Sequence, residues 1–558
     1  MKKNLSVLIF CLLAYCSGQD ELLSQALSGN VGPRSKTGGN DPANGVYVSP
    51  TGNDATANGT ISAPYKSINT ALNAAQPGAT IILRGGTYKE GRDVRVQKSN
   101  ITIKSAKGEW AVIDLTTYNP GNQEHSGVLF YAENNITGGI VKDCKLQSVE
   151  VKGGFYAVSF ETQWEWGKAT RNGASNIIVE DCILHHSRND VVKVKPGCDN
   201  ITIRYNEIHN SGQEFINDPL YPTGQKNSEG IDNVNGDHMR VQNNYIHDIC
   251  SNGIYAKGGA IDVLIENNIV ERTYGAGIAV GFDTSPQYFD LTVNPHYYEN
   301  IRGVVCNNLV INTGWEGIGL YASKDAQVYN NTLVNVANLG QFARSAIYLG
   351  IVTQDYESHN GRPANVNPKI HHNLICQPGD IIFPMINIRY HDNEELGKLS
   401  GLEGKPTMSD NCYFITGKSA TFSDNRPDSI LNDVGLTAWK SHIGGDENSI
   451  EVNPLLNADY FPTNGQCTGM GIQSDLIDDP TGTITPENFT ETITSVSEGV
   501  LFIKNPFSET IQGYSITGTI LFIHQKPAGN TSYLIKQPKG AIIILRGSSG
   551  WTRKIVVK

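Results

Sequence analysis

The sequence predicts an all-β chain: a right-handed parallel β-helix solenoid with loop insertions, followed by a small C-terminal β-sandwich. Three observations point there. A phrase of alternating β-branched residues running into Asn or Asp recurs seven times, a second apolar phrase trails it after a turn, and the spacing of the copies is regular. Strands that bury one face while stacking on the coils above and below produce this period-two pattern, and repeats at such steps mark a solenoid.

In chain order, Met1 to Gln19 combine a basic start (Lys2, Lys3), an apolar stretch from Leu5 to Ala14 and a short polar segment, the layout of a cleaved export signal. A secreted or cell-surface protein is expected. Lipid attachment at Cys16 is the alternative, which the bulky Tyr15 disfavours. Residues 20–44 read as a linker, and the β-helix is assigned to 45–475. Its opening runs from Val46-Tyr47-Val48 through Ala63-Pro64-Tyr65 and Ala75-Gln76-Pro77-Gly78 to Ile81-Ile82-Leu83-Arg84-Gly85-Gly86-Thr87-Tyr88. This resembles the start of secreted carbohydrate-active β-helix proteins and implies a short helix, around Asn69 to Ala75, capping the first coil. The resemblance bears on the fold and leaves the reaction open, since lyases and hydrolases share it.

The first phrase reads Ile177-Ile178-Val179-Glu180-Asp181-Cys182, then Ile201 to Asn206, Met239 to Asn244, Val263 to Asn268, Val304 to Asn308, Val328 to Asn331 and Ile370 to Asn373. Steps alternate between roughly 23–25 and roughly 38–42 residues, the longer ones being a repeat plus an insertion. Asn at a fixed place suits a turn column in which each amide bonds to the same residue one coil away. The second phrase includes Asp190 to Lys195, Gly230 to Val234, Gly253 to Lys257, Gly277 to Gly281, Gly317 to Tyr321 and Ala346 to Gly350, so each coil holds at least two strands. Cys144 and Cys182, each after an Asp, are expected to stack in one interior column. No cysteine spacing indicates a metal or redox site.

Asn453-Pro454-Leu455-Leu456 with Tyr460-Phe461-Pro462 reads as the last coil, and 476–496, rich in Thr, Pro and Asp, as a linker. Residues 497–558 carry short β runs around Asn505-Pro506-Phe507 and end at Lys554-Ile555-Val556-Val557-Lys558. This tail resembles the sorting domain of the Bacteroidetes type IX secretion system, which implies secretion machinery as a partner. The net charge of −11 disfavours nucleic acid, which needs a basic face. No apolar run after the first residues is long enough to span a bilayer. A monomer is expected.

Because the interior of such a solenoid is filled, ligands must bind on an outer strand face walled by insertions. Aligned on their glycines, the second phrases place Asp190, Gly230 and Gly253 in register, with Asp232 one coil from Lys193 and Lys195 on one side and from Tyr255 and Lys257 on the other. Rungs about 4.8 Å apart would bring these side chains within about 10 Å. The insertions 213–228 and 282–300, with Tyr221, Tyr288, His296 and Tyr297, are expected as groove walls. Trp164, Trp166, Arg171, Asp237, His238 and Arg240 are further candidates to touch sugar.

Asn189-Asp190, Ser228-Glu229-Gly230-Ile231-Asp232 and Asn252-Gly253-Ile254-Tyr255-Ala256-Lys257 resemble the site segments of family 9 pectate lyases and, less closely, family 6 alginate and chondroitin lyases. The resemblance implies Ca²⁺ bound by Asp190, Glu229 and Asp232, and Lys257 as the base that removes the proton α to a uronate carboxylate. Lys193, Lys195, Tyr255, Arg240 and Trp164 are assigned to binding an anionic polysaccharide or oligosaccharide. Three departures stand: Ser228 replaces an acid, Glu229 replaces Asp, and Lys257 lies two residues late on the same strand face. The alternatives are a glycoside hydrolase using Asp232 with Glu229 or Asp283, an oligosaccharide dehydratase, and a glycan-binding surface protein without catalysis.

Overall fold

The computed structural model describes residues 31–117, 125–131, 140–162, 171–213, 227–339, 344–353, 362–473 and the six strands between 500 and 556. The chain divides into two compact units, 1–478 and 479–558. The export signal, Cys16, the 476–496 linker, Trp164, Trp166 and Tyr221 lie outside the described residues.

Three long sheets, each of twelve strands, build the first unit, and successive coils contribute one strand to each. The first sheet holds the first phrase (Ile177–Glu180, Ile201–Arg204, Arg240–Gln242), the next the apolar residues after the Asn (Ile183–His185, Glu207–His209, Tyr245–Ile249), and the last the second phrase (Val192–Val194, Ile231–Val234, Ile254–Lys257). Pairing is parallel from rung to rung, with the right-handed crossover that such connections adopt. The middle sheet is nearly silent in the sequence, because a three-residue strand such as Ile183–His185 buries only Leu184. Inward columns such as Val192, Ile231, Ile254 and Ile278 fill the core, each 0 % exposed.

The expected asparagine column is present. Asn206, Asn244, Asn268, Asn308, Asn331, Asn373 and Asn411 are stacked, each offering its Oδ1 to the backbone N–H and side-chain amide of the one before it. The residue preceding each is left-handed, with φ from 52° to 57° at Tyr205, Asn243, Asn267, Asn307, Asn330 and His372, a conformation that Asn tolerates best after Gly. Paired asparagines therefore divide the labour of one turn.

Both ends of the stack are covered. The helix α1 (Ile68–Ala74) buries Ile68, Ala71 and Leu72 over the first rung, and its first turn is held by Ser67 and the Glu90 carboxylate. At the other end α2 (Leu436–Ile443) buries Trp439 on Phe422, with centroids 5.4 Å apart. Without such lids the last rungs would present open strands.

Three expectations are corrected. Cys144 and Cys182 do not share a column: Ile178 pairs with Lys145, so Cys144 aligns with Ile177 before the first sheet and Cys182 follows that sheet. Residues 453–473 are no coil; the final strand is Ile450–Glu451, and the chain then returns along the outside, where Gly471 N–H reaches the His372 carbonyl and Gln473 N–H the Asn307 Oδ1. Residues 31–41, within the expected linker, also lie along the coils, with Arg34 paired to Asp181 at 2.6 Å.

The second unit has six strands in two antiparallel sheets, the two-sheet plan expected of a small sandwich. Val500–Asn505 pairs with Gly529–Leu534, and Ile520–Lys526, Glu509–Ser515, Ile542–Gly547 and Thr552–Val556 form the other sheet in that order.

Candidate functional site

In the last sheet Ile254 and Ala256 point inward, leaving Tyr255 and Lys257 on the outer face as their alternation requires. Pairing puts Lys193, Asp232, Tyr255 and Ala279 in one outward column. The glycine-anchored alignment is off by one at Asp190. Val192 pairs with Ile231, so Val191 holds the glycine position and Asp190 lies level with Glu229 and Asn252.

That shift tightens the cluster. Ligand oxygens of Asp190, Glu229 and Asp232 all lie within 4.8 Å of one another, and the three residues are at most 3 % exposed. Asp190 accepts from the Glu229 N–H at 2.9 Å, and Asn252 donates to Glu229 Oε1 at 3.3 Å. The Lys193 ammonium sits 3.2 Å from Asp190 and in direct contact with Asp232. One oxygen of the cluster, Asp232 Oδ1, is buried with no hydrogen-bond partner.

Three acids in one desolvated space cannot ionise alike. Burial, reinforced by Asp190 and Asp232, pushes the Glu229 carboxyl well above the ordinary glutamate range. Burial also acts against the Asp232 carboxylate, but Lys193 and Lys257 outweigh it and hold it below the usual value. Lys257 feels burial downward, yet Asp232 and Asp283 prevail and keep its ammonium above the ordinary lysine value. Its nitrogen lies 4.3 Å from the centroid of the Tyr255 ring.

Other expected residues are divided between this face and elsewhere. Lys195 flanks it, 3.4 Å from Glu161 and facing the Tyr156 ring at 5.7 Å. Arg240 does not belong here: it lies on the first sheet, paired with Thr202 and Leu264, around the corner of the coil. Arg171 is held by Asp199 at 2.6 Å and Asp237 at 2.8 Å, and His238 turns to Asp262. The insertion after Gly281 reaches the site through Phe282, which packs edge-on against Tyr255, and Asp283, 3.5 Å from the Tyr255 hydroxyl. Tyr297 instead faces Arg362, whose pairing with buried Glu299 at 3.0 Å fixes that insertion. Tyr156 and Asn252 were missed as contributors, although Tyr156-Ala157-Val158-Ser159-Phe160 shows the same alternation one rung earlier.

The turn acid Asp237 carries a pH prediction. Burial, with Asp199 adding to it, raises its carboxyl to about 7 despite Arg171. The folded chain therefore holds a proton that the unfolded chain loses near 3.8, so the stability that Asp237 contributes is fully present at low pH and is lost as pH rises through about 7. In thermal melts from pH 5 to pH 8, Asp237→Asn, which keeps an acceptor for the Ile261 N–H, should lose less stability than the wild type as pH rises. An unchanged slope would reject the assignment.

Farther along the same face, a cavity of about 630 Å³ is lined by Arg344, Tyr348, Asn387, Arg389, His391 and Asn425, among others. Tyr348, Asn387 and Ser423 continue the Asp232 column through Ala279 and Gly319.

Comparison with known proteins agrees with this architecture. Residues 46–221 match a family model described as the Pel9A-like, right-handed β-helix region. A pectate lyase PEL9 of Emericella nidulans is 42 % identical over 74 residues, which are 12 % of this chain and 18 % of that protein's length. Among solved structures, pectate lyase Pel9A is similar at 16 % identity and a TM-score of 0.41, over 62 % of this chain and 79 % of that one. An alginate lyase from Paenibacillus sp. is similar at 15 % identity and 0.33, over 64 % and 94 %.

Proposed function

We propose that the protein is a polysaccharide lyase that cleaves a uronate-containing glycan by β-elimination, with Lys257 as base and Asp190, Glu229 and Asp232 as calcium ligands. The observation that carries this is the convergence of three carboxylates from adjacent rungs beside an outward lysine, in a chain whose first part is Pel9A-like.

The residues suit a hard cation. Ca²⁺ takes six to eight oxygens and tolerates irregular geometry, the three carboxylates already converge, and the unpartnered Asp232 Oδ1 is an oxygen in need of a partner. When bound, the ion would neutralise the substrate carboxylate and so stabilise the enolate-like charge that develops next to it. Lys193 then serves as the counter-charge that keeps the acids together without the ion. Lys257, as the neutral amine, takes the C5 proton α to the carboxylate, the bond from C4 to the glycosidic oxygen breaks, the departing oxygen takes up a proton from water, and a C4–C5 double bond remains. Tyr255, beneath Lys257, fixes the height of the base over the groove.

The test is ultraviolet absorbance from unsaturated product with pectin, alginate, ulvan and glycosaminoglycans. Calcium itself is expected to stabilise the folded chain by about 2.7 kcal/mol at a hundred times its Kd, and so to raise the melting temperature. An Asp232→Asn variant that keeps the full calcium shift would remove that residue from the ligand set.

One observation favours a second reading. Within 4.8 Å of each other, Glu229 is pushed towards its protonated form and Asp232 towards its ionised form, the kind of split that a glycoside hydrolase needs between its acid and its nucleophile. New reducing ends without ultraviolet absorbance would select it.

A further inference from the structure

We infer that the cavity beneath Arg389 and Asn387 is a remote subsite that holds a second uronate unit of the same glycan. The inference rests on the proposed action on a uronate chain and adds to it a requirement for chain length.

Its chemistry is defined by two unmet groups. The Oδ1 of Asn387 is buried and accepts no hydrogen bond, so it calls for a donor such as a sugar hydroxyl. Arg389 is exposed at the cavity, and among the described residues its guanidinium has no side-chain partner, so it calls for an acceptor, best a carboxylate. A hydroxylated carboxylic acid answers both, and a uronate is one. Arg344 adds a second cation at the wall, held in place by the Tyr321 hydroxyl at 2.6 Å, by the Glu316 carboxylate at 3.9 Å and by the rings of Trp315 and Tyr348. Asp433, the acid at the rim, already accepts from Ser423 at 3.1 Å. The amide of Asn425 and the ring of Phe383 complete a wall of the mixed polar and aromatic kind that binds sugars.

Position links this cavity to the acidic cluster. Asn387 occupies the same outward column as Asp232, five rungs along. At about 4.8 Å per rung the separation is about 24 Å. A glycan lying parallel to the solenoid axis needs several sugar units to touch both places, whereas a disaccharide can touch one.

The test is calorimetric binding of an octagalacturonate and a digalacturonate to the full chain, with a neutral maltooctaose as control. In Arg389→Ala the octamer Kd should rise about 10- to 100-fold, the loss expected for a charge-assisted hydrogen bond, while the dimer Kd stays unchanged. Asn387→Ala should weaken the octamer in the same selective way. Both variants keep the inward residues Ile386 and Ile388, and an unchanged melting temperature verifies their folding. Equal losses for octamer and dimer, no loss for either, or equal binding of the neutral octamer would each overturn the subsite. Turnover separates the two claims: Arg389-dependent octamer binding without unsaturated product would sink the lyase and keep the subsite, and product formation indifferent to Arg389 would do the reverse.

Discussion

Lys257→Ala is expected to lower the formation of unsaturated product by about 10³-fold, within the range of about 10² to 10⁴ that a positioned base contributes. Burial and the ring of Tyr255 leave Lys257 few alternatives, and the two lysines beside it on this face are each taken by a carboxylate: Lys193 touches Asp232 and Lys195 faces Glu161. The pH dependence gives an independent reading. Because Asp232 and Asp283 hold the Lys257 ammonium above its ordinary 10.5, the neutral amine accumulates only at strongly alkaline pH when no cation is bound. A divalent ion on Asp232 cancels part of the charge that retains the proton. The rising limb of kcat against pH should therefore move towards neutrality as calcium is added. Wild-type rates in Lys257→Ala, or a limb indifferent to calcium, would reject this residue as the base.

Much of this site was legible in the sequence because a strand's period of two admits few mistakes. Once Ile254 and Ala256 are inside, Tyr255 and Lys257 must be outside. What escaped was lateral. Glycine at 230 and 253 looked like a marker for the start of each strand, but Val191 occupies that place in the preceding rung, so Asp190 slipped by one against its neighbours. Arg240 was misplaced for a related reason. Only five residues separate it from Val234, yet the left-handed Asn235 and His238 turn the chain onto another sheet between them. Local pattern specifies which face a side chain takes within a strand, while the corner between sheets depends on backbone conformation that carries a weaker signature.

The asparagine column offers the largest expected effect on stability. Asn308 accepts from both the backbone N–H and the side-chain amide of Asn268, and its own amide donates to Ile265 O at 2.9 Å, Cys306 O at 3.0 Å and Asn331 Oδ1 at 3.0 Å. All of this is buried, so water cannot replace what is removed. Alanine would strand at least the Asn268 donors and the Ile265 carbonyl; at about 1–3 kcal/mol for each unsatisfied group, partly relieved by relaxation, the cost is about 4 kcal/mol. The adjacent Asn307 makes an internal control. Its left-handed φ of 55° is one that glycine adopts freely, so Asn307→Gly should cost under about 1 kcal/mol beyond its lost side-chain contacts. Because a solenoid couples only neighbouring coils, the damage in Asn308→Ala should concentrate in the rungs from Asn268 to Asn331. Hydrogen exchange should show protection lost there first and retained near Val48 and Trp439. Uniform loss along the whole stack, or none, would mean that the ladder is not what ties one coil to the next.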